Sequence, residues 1–167
     1  MSPTSVIPDK YLRIYLSDHR SAAAGGIRLA RRCRGNNVGS ELGRFLDTLV
    51  DEVSQDVATL DQIMEEVGTR RNPVKHVLVV IGERLARLKP NGRLRGYSPL
   101  SRVIELEGLI AGVHAKQRLW HGVGAGRHGI DSDLLDEMIE RADRQLNRLE
   151  AFHHTATSEA FDRSSRT

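Results

Sequence analysis

The side chains best suited to chemistry in this sequence are carboxylates and imidazoles at helical spacing. Glu150 and His153 stand three residues apart, which places them on neighbouring positions of one helix face. Glu107 and His114 belong to an earlier segment, where seven residues separate them by about 10.5 Å along a helix axis, too far to bind one ion together. His19, next to Asp18, and Glu52 add a third imidazole and another carboxylate. Other spacings carry less. Gly124-Ala-Gly126-Arg-His-Gly129 spells a dinucleotide fingerprint, but it follows a helical pattern instead of a strand and leads into Asp131 and Asp133, whose charge opposes a pyrophosphate. It reads as an interhelical loop. Cys33, among Arg31, Arg32 and Arg34, is either a thiol activated by cations or a buried inert one, and the second reading is favoured. No local spacing supports a nucleophile elbow, a zinc-protease helix or a Ser/His/Asp set, so no catalytic residue is assigned.

These groups must be positioned by helices, because apolar residues recur at i, i+3 and i+4 and no alternating strand pattern competes. Five segments follow. The first starts near Pro8–Asp9, carries Leu12, Tyr15, Leu16, His19 and Ile27, and stops at Gly35-Asn36. The second opens within Asn37–Ser40 and holds a near-heptad stripe from Leu42 to Met64 before Gly68. Asn72-Pro73 starts a short third helix that ends before Pro90. Ser98-Pro99 starts a fourth, somewhat shorter than the long ones, which the glycines from Gly122 to Gly129 are expected to break. The last begins near Asp131 and runs beyond His153. Residues 1–7 and 161–167 read as frayed ends around one domain spanning 8–160.

If short links make neighbouring helices antiparallel, the first runs up and the second down, residues 73–97 carry the chain back to the top, and the last two run down and up. This all-α, up-down four-helix bundle with a short crossover helix resembles the ferritin-like superfamily across roughly residues 8–160. The resemblance implies a search for its di-metal ligands: one Glu from each of two helices and Glu-x-x-His from each of the other two. Glu150-Ala-Phe-His153 supplies one such motif, and the second helix has no histidine to complete another. Counted by height, Glu107, Glu150 and His153 share a level about 11–15 Å below the top, where the first helix offers only Gly25 and Gly26. A second level, about 15 residues down, gathers His19, Glu52 and His114.

Charge adds a further expectation. The chain has 25 basic and 22 acidic residues, a net charge of +3, so its overall balance says little about partners and the distribution matters more. Arg31, Arg32, Arg34, Arg84, Arg87, Lys89, Arg93 and Arg95 collect at the upper end in the up-down arrangement, with Asp61, Glu65, Glu66 and Asp133 at the foot. Such a basic end could hold nucleic acid or an acidic protein, although aromatics at 4% leave few stacking platforms for single strands. Ala22-Ala23-Ala24-Gly25-Gly26 permits a close helix approach, within the bundle or against a second copy. The longest aliphatic run, Val77 to Ile81, is far too short to span a membrane, there is no signal-peptide core, and a single cysteine fits a reducing compartment. The expectation is a cytoplasmic, non-catalytic bundle acting through a protein partner or as a homo-oligomer. A di-metal iron or manganese oxidase, peroxidase or storage protein, and an electrostatic nucleic-acid binder, are its alternatives.

Overall fold

A computed structural model describes residues 10–69, 97–126 and 129–162. Four long helices account for most of them: α1 (Lys10–Gly35), α2 (Glu41–Glu66), α3 (Pro99–Ala125) and α4 (Ser132–Phe161). The short helix expected after Asn72-Pro73 lies outside the described residues, which contain no strand.

Local chemistry sets the ends. Ser40 caps α2, its Oγ accepting from Gly43 N at 3.0 Å while donating to Asn37 O at 2.6 Å. At the other end Thr69 N donates to Met64 O and Gly68 N to Glu65 O, with Gly68 at φ +68°; this paired closure needs a left-handed residue, which glycine supplies without a side-chain clash. Ser98 caps α3 ahead of Pro99, and Asp131 caps α4. One expectation is corrected here. The helix α3 is not shortened by its glycines: it runs through Gly122 and Gly124 to Ala125, matching α1 and α2 in length. Tertiary contacts override the weak propensity, since Tyr15 packs against Gly122 and donates from its hydroxyl to Arg118 O, and Leu135 lies against Gly124.

The helices form a ring in which α1 packs on α2 and α3, and α4 packs on α3 and, more loosely, on α2. Two apolar clusters fix their directions. The upper one joins Leu29 and Cys33 near the end of α1 to Leu42 and Leu46 at the start of α2, Val103 and Leu106 at the start of α3, and Leu149 and Ala156 late in α4. The lower one joins Leu16 to Leu60, Met64, Trp120 and Met138. So α1 runs up, α2 and α3 run down, and α4 runs up. The chain leaves the foot after Thr69 and is back at the top by Tyr97, which is the hairpin, crossover, hairpin order read from the sequence. Each buried leucine in these clusters contributes roughly 1.5–3 kcal/mol. Between the clusters, at mid-height, the interior is polar.

Candidate functional site

Glu52 and Asp56 are four apart on α2, and Arg141 and Gln145 four apart on α4, so each pair presents one face. Lys116 of α3 reaches between them. Its Nζ lies 2.5 Å from Asp56 Oδ2 and 2.5 Å from Gln145 Oε1. Arg141 donates to the other Asp56 oxygen at 2.9 Å and to Glu137 at 2.7 Å, and Gln145 Nε2 donates to Glu52 at 2.6 Å. Asp56 is only 2% exposed, so its charge is held by two cations instead of by water. Desolvation pushes the Lys116 ammonium below its ordinary value, and the Asp56 carboxylate beside it opposes that shift.

Next to this layer is a cavity of about 280 Å³ between α1, α2 and α3. Its wall is small and apolar, including Ala23, Gly26, Val53 and Gly112, with Trp120 as the large aromatic surface; Lys116, Asp56 and His19 are its polar members. The small residues make the space. A Cβ built on Gly26 or Gly112 meets nothing within 4 Å, whereas one on Gly108 lies 2.8 Å from Leu29 Cδ2, so α1 and α3 close tightly at one level and leave room at the next. The run Ala22 to Gly26 therefore borders a cavity along part of its length. Trp120 is 1% exposed, and its indole Nε1 has no hydrogen-bond partner among the described residues.

A second polar cluster closes the top. Glu105, fully buried on α3, lies 2.8 Å from Arg32 Nε and accepts from the Tyr97 hydroxyl at 2.9 Å. Asn37 Nδ2 donates to that hydroxyl at 3.1 Å and to Cys33 O at 2.7 Å. Burial, aided by the neighbouring Glu105 charge, pushes the Cys33 thiol up to about 12, and burial likewise raises the Tyr97 phenol. Cys33 is thus the buried, inert thiol of the two readings.

The residues singled out as metal ligands are only partly brought together. Glu107 and His153 meet at 3.4 Å on the outside of α3 and α4, and Glu150, exposed, shares a shallow recess with His153 and His154. At the second level Glu52 joins the mid-height layer through Gln145, His19 sits at the cavity wall with its ring edge-on to Tyr15 at 4.5 Å, and His114 is exposed. Burial lowers His19 from its ordinary value, with Asp18 opposing. Among the described residues no group of three His, Cys, Asp or Glu side chains could hold a metal ion. The height of the second level was legible, but its inward residue was not: Lys116, two positions after His114, is turned about 200° around the axis and takes the interior place.

Of the basic end, Arg31 is exposed, Arg32 is engaged by Glu105 and Arg34 by Asp47 at 2.9 Å. Arg84, Arg87, Lys89, Arg93 and Arg95 lie outside the described residues. The large apolar side chains exposed among the described residues are split between the foot (Tyr11 and Ile14) and the top (Val38 and Phe161). No described helix is long and apolar enough to cross a membrane. Comparison with protein-family models, curated proteins and solved structures gave no match for the chain.

Proposed function

We propose that this chain is a ligand-binding helical bundle, ferritin-like in its connectivity, that takes an apolar small molecule into the cavity between α1, α2 and α3. The cavity carries the reading: about 280 Å³ walled by small apolar side chains and one tryptophan, beside an ion layer that satisfies its own charges. An apolar space of 150 Å³ accommodates benzene, so this one accommodates about 11 non-hydrogen atoms. The level at which di-metal bundles gather carboxylates and imidazoles holds an ammonium and a guanidinium here, and both would repel an arriving metal ion.

Trp120 is the only tryptophan of the chain and lies in the cavity wall, which makes the test direct. 1-Bromononane, a heavy-atom quencher of ten non-hydrogen atoms, is expected to quench its emission saturably and raise Tm. Gly112→Leu, which fills the space, should abolish both effects. Unsaturable quenching that Gly112→Leu leaves unchanged would sink the reading.

Association with a protein partner or a second copy is the other reading, favoured by Tyr11 and Ile14, 77% and 48% exposed one turn apart at the start of α1. A sedimentation series over protein concentration tests self-association.

A further inference from the structure

Resting on the cavity reading above, we propose that the natural occupant is a single unbranched hydrocarbon chain, of the fatty acyl or alkyl class, lying parallel to the helices with its end under Leu29. The shape of the wall carries the inference. It starts at the foot with His19 of α1, Leu60 of α2 and Trp120 of α3, and it ends above with Ala30, Leu49 and Gly108. The intervals 19 to 30, 49 to 60 and 108 to 120 match, and each turn within them contributes to the wall, so the space extends for roughly 16 Å along the bundle. It must be narrow. Dividing about 280 Å³ by roughly 16 Å leaves a mean section of about 17 Å², against about 28 Å² for a compact space of 150 Å³ that admits benzene. A polymethylene chain, whose carbons approach their neighbours at about 4 Å, fills the smaller section, and a ring or a quaternary carbon exceeds it.

The polar members of the wall leave this path clear. Lys116 Nζ reaches Gln145 Oε1 of α4, outside the wall, and the Asp56 carboxylate is held by Lys116 and Arg141, so the charged atoms gather toward α4 and Lys116 lends its methylene stem to the passage. Gly26 and Gly112 keep the middle open, since a Cβ on either meets nothing within 4 Å. Leu29 closes the upper end: it is 3% exposed, and its Cδ2 lies 2.8 Å from where Gly108 would carry a Cβ. The other limit is less closed. Ala111 and Ala115 belong to the wall yet are exposed, and His19 is half-buried, so the passage reaches the surface beside α3 and a head group stays outside.

The experiment displaces 1-bromononane from the full chain with two isomers, nonane and 2,2,4,4-tetramethylpentane, reading recovery of Trp120 emission. Nonane is expected to act at about tenfold lower concentration or less, because the branched isomer has the same atoms and overpacks the section. A series of 1-bromoalkanes from pentyl to tetradecyl then measures length. Quenching affinity should rise about fourfold per carbon, the worth of one buried methylene, and level off at about ten to twelve carbons. Leu29→Ala should move that point out by about two carbons; if the variant does not fold, the isomer ratio and the wild-type series decide alone. Equal displacement by the two isomers, no levelling by fourteen carbons, or a levelling point that folded Leu29→Ala leaves in place would overturn the chain inference and leave the cavity reading intact. Failure of 1-bromononane itself to bind would overturn both.

Discussion

Lys116 Nζ and Asp56 Oδ2, 2.5 Å apart, join the two helices that stand diagonally across the bundle. The backbones of α2 and α3 scarcely approach one another, each packing instead on α1 and α4, so this pair is what spans the centre at mid-height. Asp56 is the hub, because its other oxygen holds Arg141. Removing the hub leaves Lys116 without a counter-ion and Arg141 with only the exposed Glu137, whereas removing Lys116 leaves the carboxylate still covered by Arg141.

Asp56→Ala should therefore cost about 3–5 kcal/mol of stability, the usual consequence of orphaning buried charge, and Lys116→Met less than that. Urea unfolding of both variants measures the order. A Lys116→Met variant less stable than Asp56→Ala would show that the ammonium, and not the carboxylate, organises the layer.

The glycines of the bundle should split by their surroundings. Gly26→Ala and Gly112→Ala place a methyl group in open space within helices, so each should stabilise by about 0.4–1 kcal/mol. Gly43→Ala should destabilise, because its Cβ would lie 2.2 Å from the Asn37 carbonyl oxygen at the α2 cap. Thermal unfolding of the three variants checks the signs, and a loss of stability in Gly112→Ala would mean that the cavity does not extend to that helix face.

The contrast between these glycines explains what was legible in the sequence. Ser40, Ser98-Pro99 and Asp131 act on backbone groups within a few residues, so the helix starts could be read directly. The end of α3 could not, because Gly122 and Gly124 are kept helical by Tyr15 and Leu135 from other helices. Helix lengths placed Glu52 at the right height. They could not show that Lys116 and Glu105 turn inward, since a lone charged residue on a largely apolar helix reads as surface until its partners from α1, α2 and α4 are known.

At the top of the bundle, Glu105→Ala should cost about 3–5 kcal/mol, since it removes the acceptor of the Tyr97 hydroxyl and the counter-ion of Arg32 together. Tyr97→Phe should cost about 1–3 kcal/mol, because it leaves one oxygen of a fully buried carboxylate without its donor. If the double variant costs no more than Glu105→Ala alone, the two side chains act as one unit.

Cys33 supplies a pH dependence whose sign can be worked out. In the unfolded chain its thiol ionises near the ordinary 9.0, and in the folded protein burial keeps the proton until about 12. Between those values the folded state binds the extra proton, so stability falls as pH rises, by about 1.4 kcal/mol per pH unit for one such group. The raised Tyr97 phenol adds a slope of the same sign above pH 10. Lys116 acts in the opposite sense: its lowered folded value leaves the extra proton on the unfolded chain below 10.5, which favours folding as pH rises. Comparing wild type with Cys33→Ala in urea from pH 8 to 10, below the range in which the folded Tyr97 phenol coupled to Cys33 ionises, cancels the ammonium contribution and isolates the thiol. The wild-type curve should fall more steeply than that of the variant above pH 9, and the native thiol should react with a disulfide reagent only at the rate of unfolding. Parallel curves, or fast labelling of the folded protein at pH 8, would place Cys33 in contact with solvent.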